Sequence, residues 1–141
     1  MRLLRSCVLA TVVVTALAGT GATAQASERG RFTGTWETAV QLPQASGPSA
    51  GLTDQTERAM IHTSIGGGAV RVRLSNAYGT GPVRFGDVAV AVRATGAAVV
   101  PGTSRRLTFG GRRSVTLPAG GQALSDPVRF PARPEQDLAV S

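Results

Sequence analysis

The sequence holds one histidine, His62, so any serine-based hydrolytic chemistry in it would have to run through that residue. Such chemistry needs a nucleophile, a general base within hydrogen-bond reach and a third group to orient the base. His62 lies in the run Thr56-Glu57-Arg58-Ala59-Met60-Ile61-His62-Thr63-Ser64, which is β-favouring and leads into a glycine-rich turn. A histidine in a strand of this kind is expected to be structural rather than catalytic. No Gly-x-Ser-x-Gly nucleophile elbow occurs. The strings nearest to a Gly-Asp-Ser nucleophile are Gly86-Asp87-Val88, where valine replaces the hydroxyl, and Ser125-Asp126, which lacks the preceding context.

Other chemistries find equally little. A zinc site draws three or four ligands from His, Cys and carboxylates. One histidine and one cysteine, Cys7, do not supply them. Asp54, Glu57, Asp87 and Asp126 are acid–base candidates by residue type alone; no spacing singles out a pair. Gly66-Gly67-Gly68 lacks the Lys-Ser/Thr of a phosphate-binding loop and reads as a hairpin turn. No catalytic residue, cofactor site or metal ligand is therefore assigned. Ligand binding has one candidate. Aromatics are only 4% of the chain, and Tyr78 is the one placed in a loop, where its ring could stack on a sugar. Trp36 falls in a β-favouring run and is expected to anchor the core.

The elements around these residues are short. The chain is long enough for one domain. Thr33 to Val40 reads as a strand, and Gln41 to Leu52, with Pro43, Gly47, Pro48 and Gly51, as a loop. Thr56 to Ser64 reads as a strand that forms a hairpin with the next one around the glycines. Val70, Val72 and Leu74 alternate with Arg71, Arg73 and Ser75, the period-two pattern of a half-buried strand. Asn76 to Pro82 is a turn. Val88, Val90 and Val92 alternate with Ala89 and Ala91, so that strand is expected to be buried on both faces. Leu107 and Phe109, then Arg113 to Leu117, give two more strands, with turns at Gly110-Gly111 and at Pro118 to Gly121. Asp126-Pro127 breaks the segment Ala123 to Phe130, and Leu138-Ala139-Val140 opens a final strand. Turn residues at intervals of roughly 8–12 residues indicate an all-β fold, an antiparallel β-sandwich of jelly-roll type. A chain stopping in an apolar strand would leave an unpaired edge. The β-sandwich, residues 33–141, is therefore expected to be incomplete at its C-terminus.

The first residues read as a targeting segment. Arg2 and Arg5 precede an apolar run from Cys7 to Ala18, shorter than the about 20 residues that span a bilayer. Ala22-Thr23-Ala24 fits a small-x-small cleavage site, so residues 1–24 are expected to be a signal peptide with a helical apolar core. Residues 25–32 would be a loose N-terminus, and the protein would be secreted. Cys7 precedes the apolar run, contrary to a lipoprotein box, and a mature chain starting at Gln25 would hold no cysteine. The formal net charge is +7, and removing Arg2 and Arg5 leaves +5. Every basic residue is arginine, in keeping with a GC-rich coding sequence. The arginines are scattered over outward strand positions, with no recognition-helix or RNP-type pattern, so no nucleic-acid partner is expected.

The order of segments adds a resemblance. Gly34-Thr35-Trp36, Asp54-Gln55-Thr56 and His62-Thr63-Ser64-Ile65-Gly66-Gly67 are followed by Val70-Arg71-Val72-Arg73-Leu74-Ser75-Asn76-Ala77-Tyr78-Gly79. Then come Pro101-Gly102-Thr103, Leu107-Thr108-Phe109-Gly110-Gly111, Ser125-Asp126-Pro127 and Asp137-Leu138-Ala139-Val140-Ser141. Together they resemble the N-terminal region of secreted bacterial SGNH/GDSL hydrolases, actinobacterial ones above all. The Val70–Gly79 stretch is the most specific part. The resemblance implies a non-catalytic β-domain in front of an α/β domain that hydrolyses acyl esters of lipids or carbohydrates through a serine. The family's catalytic serine in Gly-Asp-Ser, its glycine and asparagine oxyanion donors and its Asp-x-x-His pair match no position here. Asn76 is not that oxyanion asparagine; a turn-capping role at the end of its strand is expected. The implied partner is a C-terminal catalytic domain of the same protein. A different class of function stays open beside it: a secreted carbohydrate-binding β-sandwich that contacts a glycan through Tyr78.

Overall fold

The computed structural model describes residues 32–42, 46 and 53–141. The expected signal peptide, most of the loose segment 25–32 and most of the 41–52 loop lie outside the described residues. Phe32–Ser141 forms one compact unit.

All regular structure among the described residues is β. The strands are β1 (Ala59–Thr63), β2 (Gly67–Val70), β3 (Arg73–Ser75), β4 (Val83–Phe85) and β5 (Ala89–Val92). They continue with β6 (Arg105–Arg106), β7 (Val115–Leu117), β8 (Gln122–Leu124), β9 (Val128–Ala132) and β10 (Gln136–Val140). Every pairing is antiparallel and the pairs nest: β1 with β10, β2 with β9, β3 with β8, β4 with β7, and β5 with β6. The chain is thus one long hairpin whose halves run side by side. The hairpin then rolls, because β5 also pairs with β10, giving a four-stranded sheet in the order β1-β10-β5-β6. The other pairs form three separate two-stranded ribbons. The all-β, antiparallel part of the expectation is met.

The core lies where the rolled hairpin closes on itself. Val88, Val90, Leu107, Phe109, Phe130 and Leu138 form its buried cluster, with Ile61, Val72 and Leu74 packed against it. β5 is buried on both faces at Val90 and Ala91, as its Val/Ala alternation requires. β3 follows its period-two pattern, with Leu74 half-buried between exposed Arg73 and Ser75. The four-stranded sheet ends at β6, a two-residue strand of exposed arginines that offers little template for further pairing.

Four expectations are corrected. Residues 33–40 form no strand, and Trp36 is 43% exposed. Thr35 explains this locally: its hydroxyl donates to the Ile65 carbonyl and accepts from the Ile65 amide, while its carbonyl accepts from Ser64. The arm is hooked onto the β1–β2 turn instead of entering a ladder, and Phe109 and Phe130 supply the core aromatics. Second, β1 and β2 are not a hairpin. Gly67 and Gly68 belong to β2 itself, and each strand pairs with the far end of the chain. Gly66 passes so close to β9 that a Cβ there would lie 2.7 Å from the Ala132 carbonyl oxygen. Third, the last strand is no edge. β10 lies between β1 and β5, and Ser141 still exchanges backbone hydrogen bonds with Ala89. Fourth, no strand forms at Leu107 and Phe109: β6 ends before them at Arg106, and Phe109 makes only an isolated bridge to Arg112.

Candidate functional site

Tyr78 is in the β3–β4 connection, and the connection is fastened rather than loose. Asn76 follows β3 directly and directs its side-chain amide at three carbonyls: Gly81 at 2.9 Å, Pro118 at 2.9 Å and Leu117 at 3.3 Å. Its backbone carbonyl accepts from Gly79 at 3.1 Å and Gly120 at 2.9 Å, and its N–H donates to Gly121 at 2.8 Å. Asn76 does cap its own turn, as expected, and it also ties that turn to the β7–β8 turn. Gly79 is required by this packing. A Cβ there would collide with Asn76 Oδ1, so the Asn76 side chain would have to give up its place.

The tied loop presents Tyr78 half-exposed to solvent, at 48%. Beside it opens a cleft of about 130 Å³ lined by Val40, Gln41, Ser75, Asn76, Ala77, Tyr78 and Gly79. Two walls come from segments far apart in sequence, the Phe32–Leu42 arm and the end of β3. The cleft combines an aromatic ring with an amide and a hydroxyl, the mixture by which small polar ligands with apolar faces are held. Sequence reasoning picked Tyr78 from its loop position. It missed Val40 and Gln41, because nothing local in the arm announces which loop it meets.

The other polar candidates are spent on structure. His62 lies on β1, opposite Asp137 on β10. Its Nδ1 is 2.7 Å from Asp137 Oδ1 and its Nε2 is 3.0 Å from Glu135 Oε2. The second oxygen of Asp137 accepts from Arg93 Nη1 at 2.9 Å. The hydrogen bonds to Asp137 and then Glu135 raise the His62 pKa above its ordinary 6.5. Those from His62 and Arg93 lower that of Asp137. With a carboxylate on each ring nitrogen, the chain's one histidine cannot take a proton from a hydroxyl unless an ion pair opens. Among the described residues no group of three His, Cys, Asp or Glu side chains could hold a metal ion.

Ser125 and Asp126 are also accounted for. β2 and β3 are interrupted at Arg71-Val72, facing the break between β8 and β9. Ser125, fully buried, accepts from the Val72 amide through Oγ at 2.9 Å and donates its own N–H to the Val72 carbonyl. Its carbonyl accepts from Arg71 Nε at 2.7 Å. Asp126 accepts from the Thr108 hydroxyl at 2.6 Å and from the Gly110 and Gly111 amides. Those bonds, Thr108 first, hold its carboxyl below the ordinary value of 3.8. Both glycines have positive φ, which frees their N–H groups to converge on the carboxylate. Asp87 pairs with Arg106 at 3.0 Å, and Asp54 and Glu57 are exposed before β1.

Comparison with protein-family models and with curated proteins gives no match for this chain.

Proposed function

We propose that this chain is the non-catalytic N-terminal β-domain of a secreted SGNH/GDSL-type ester hydrolase, which cleaves acyl esters of lipids or carbohydrates through a serine on a following domain. The observation that carries the reading is the state of His62. It is the chain's one histidine, its ring nitrogens meet Asp137 and Glu135, and among the described residues no serine hydroxyl is hydrogen-bonded to it. The Val70–Gly79 stretch that bears the family resemblance is built as scaffold, with its Asn76 amide engaged by three carbonyls. The role follows: the domain supports or positions, and the nucleophile comes from elsewhere in the same protein. Sequencing the coding DNA past codon 141 tests it. An open frame reaching Gly-Asp-Ser and later Asp-x-x-His is expected; a stop codon with neither motif in frame would end the proposal. A second check uses the chain alone with p-nitrophenyl acetate. Turnover no faster than that of His62→Ala is expected, and turnover abolished by that substitution would make His62 a catalytic base after all.

The Tyr78 cleft favours a second reading, a saccharide-binding surface, either as the positioning role of this domain or as the function of a free-standing module. A tyrosine ring exposed on a hydrogen-bonded loop, with Gln41 and Ser75 beside it, is suited to stack on the apolar face of a sugar while hydrogen bonds meet its hydroxyls. Isothermal titration with neutral oligosaccharides, comparing the chain with Tyr78→Ala, tests this reading; affinity unchanged by the substitution would remove it.

A further inference from the structure

We propose that a second cleft, between β6 and β9, binds a short-chain carboxylate anion, with the carboxylate on Arg105 and the apolar tail on Val92, Phe130 and Pro131. This cleft shares no residue with the Tyr78 cleft and rests on neither functional reading above. It arises from register. Arg105 lies opposite Val90 in the β5–β6 ladder, and residues directly opposite share a face of the sheet. Val90 is buried in the core, and Val92 follows it on the same face by the alternation of β5. Leu107, two residues beyond Arg105, donates its N–H to the Val88 carbonyl and is fully buried. An exposed arginine therefore stands on the core face of the four-stranded sheet, at its edge strand. There the core ends against β9, and Val92, Gly102, Thr103, Arg105, Phe130 and Pro131 line a cleft of about 110 Å³.

The guanidinium is positioned by its own loop. Nη1 donates to the Gly102 and Ser104 carbonyls, each at 2.9 Å. That loop is fastened to β5 on both sides of Val92. The Val100 N–H donates to the Val92 carbonyl at 2.8 Å, and the Val92 N–H donates to the Thr103 hydroxyl at 3.1 Å. The hydroxyl donates in turn to the Val100 carbonyl at 2.6 Å, so it is spent on the loop. Gly102 makes the bend, with φ at 77°. Among the described residues, Nε and Nη2 of Arg105 make no hydrogen bond, and Arg105 takes part in none of the ion pairs. These two nitrogens form the fork that meets a carboxylate through parallel N–H donors. Among the described residues no acidic side chain lines the cleft to compete for it. Val92, Phe130 and Pro131 make the floor apolar, so the site pairs one charged group with a greasy surface. A cavity of about 150 Å³ holds benzene, so a space of about 110 Å³ limits the tail to on the order of four carbons. Inorganic phosphate would satisfy the fork but not the floor.

Butyrate is the probe, and butyramide is its neutral isostere. Backbone amide shifts of the isotope-labelled whole chain are followed by NMR as butyrate, butyramide or inorganic phosphate is added at constant pH and ionic strength. Saturable shifts centred on Gly102, Thr103, Arg105 and Phe130 are expected with butyrate. Butyramide and phosphate are each expected to bind about tenfold more weakly, the first for want of charge and the second for want of a tail. Arg105→Gln is expected to keep the parent's melting temperature, because the side chain is exposed, and to weaken butyrate binding about tenfold. A free acid and the end of a peptide chain share this chemistry, and N-acetylvaline separates them. It is expected to bind more weakly than butyrate, because its amide would be brought against the apolar floor. The reverse order would assign the cleft to a peptide C-terminus and overturn the proposal. So would butyrate that leaves those amides unmoved, butyramide or phosphate that binds as tightly as butyrate, or butyrate affinity unchanged in Arg105→Gln. Arg105 would then be an inward-facing charge that guards the edge strand against pairing.

Discussion

At the scale of single residues, the polar groups that look available for chemistry are used to join turns, and each join predicts a measurable cost. Ser125 is the clearest. Its hydroxyl is the acceptor for the Val72 amide where the β2–β3 edge is interrupted, and the site is fully buried. Ser125→Ala leaves that amide unpaired away from water, so a loss of about 1–3 kcal/mol is expected in urea unfolding. A change within experimental error would show that the backbone bonds between the same residues suffice. Asn76 and Gly79 make a coupled pair. A methyl at position 79 collides with the Oδ1 of Asn76. Gly79→Ala is thus expected to be strongly destabilising in the parent and much milder in an Asn76→Ala background. The double-mutant cycle should give a coupling of roughly 0.5–3 kcal/mol. Additive effects would mean that the loop relaxes without moving Asn76. The identity of Gly79 was readable as turn chemistry in the sequence. Its true cause, contact with a side chain three residues back, was not.

At the scale of elements, what the sequence reveals depends on how local the signal is. β3 and β5 announce themselves because alternation in Val70–Ser75 and the Val/Ala run at residues 88–92 record their own burial. Strand partners leave no such record. The glycines at 66–68 suggest a hairpin, yet β1 finds its partner in β10, with Ile61 facing Leu138 across the chain's length. The same nesting makes the last strand central where sequence reading places it at an edge. Trp36 fails as a core residue for a related reason: the Thr35 hydroxyl and carbonyl bind the β1–β2 turn, so the arm never becomes a strand. The candidate site was half legible for the same reason, Tyr78 from its loop and Val40 and Gln41 not at all. Position within the roll then sets energetic weight. Leu138 on β10 is 1% exposed and packs in the central cluster, whereas Leu124 on β8 is 41% exposed. Leu138→Ala is expected to cost about 2–5 kcal/mol, and Leu124→Ala to stay within about 0.5 kcal/mol of the parent. Equal costs at the two sites, read by denaturant unfolding, would contradict the rolled-hairpin core.

At the scale of the whole molecule, closure of the roll is reinforced by charge, and this gives stability a definite dependence on pH. His62 on β1, Glu135 in the β9–β10 turn, Asp137 on β10 and Arg93 just after β5 link the three strands that close the hairpin. The folded-state pKa of His62 is raised above 6.5, so its contribution is complete below that value and disappears as pH rises through the raised one. Asp137 and Asp126 have carboxyls held below 3.8; their contribution is complete above that value and disappears as pH falls through the lowered ones. The two trends leave a plateau of maximal stability between about pH 4 and 6.5, below the neutral optimum that carboxylates alone would give. The melting temperature is expected to rise as pH is lowered from 8 to 6 and to fall again below 4. His62→Gln should flatten the alkaline limb and also shrink the acid limb, because the His62 hydrogen bond is the first cause of the lowered Asp137 carboxyl, while Asp126→Asn should reduce the acid limb alone. These groups are exposed, so the alkaline limb should also shrink in high salt. A melting temperature that does not change between pH 8 and 6 would show that the His62 pKa is the same folded and unfolded, and that the closure of β1 on β10 rests on its backbone ladder and apolar face.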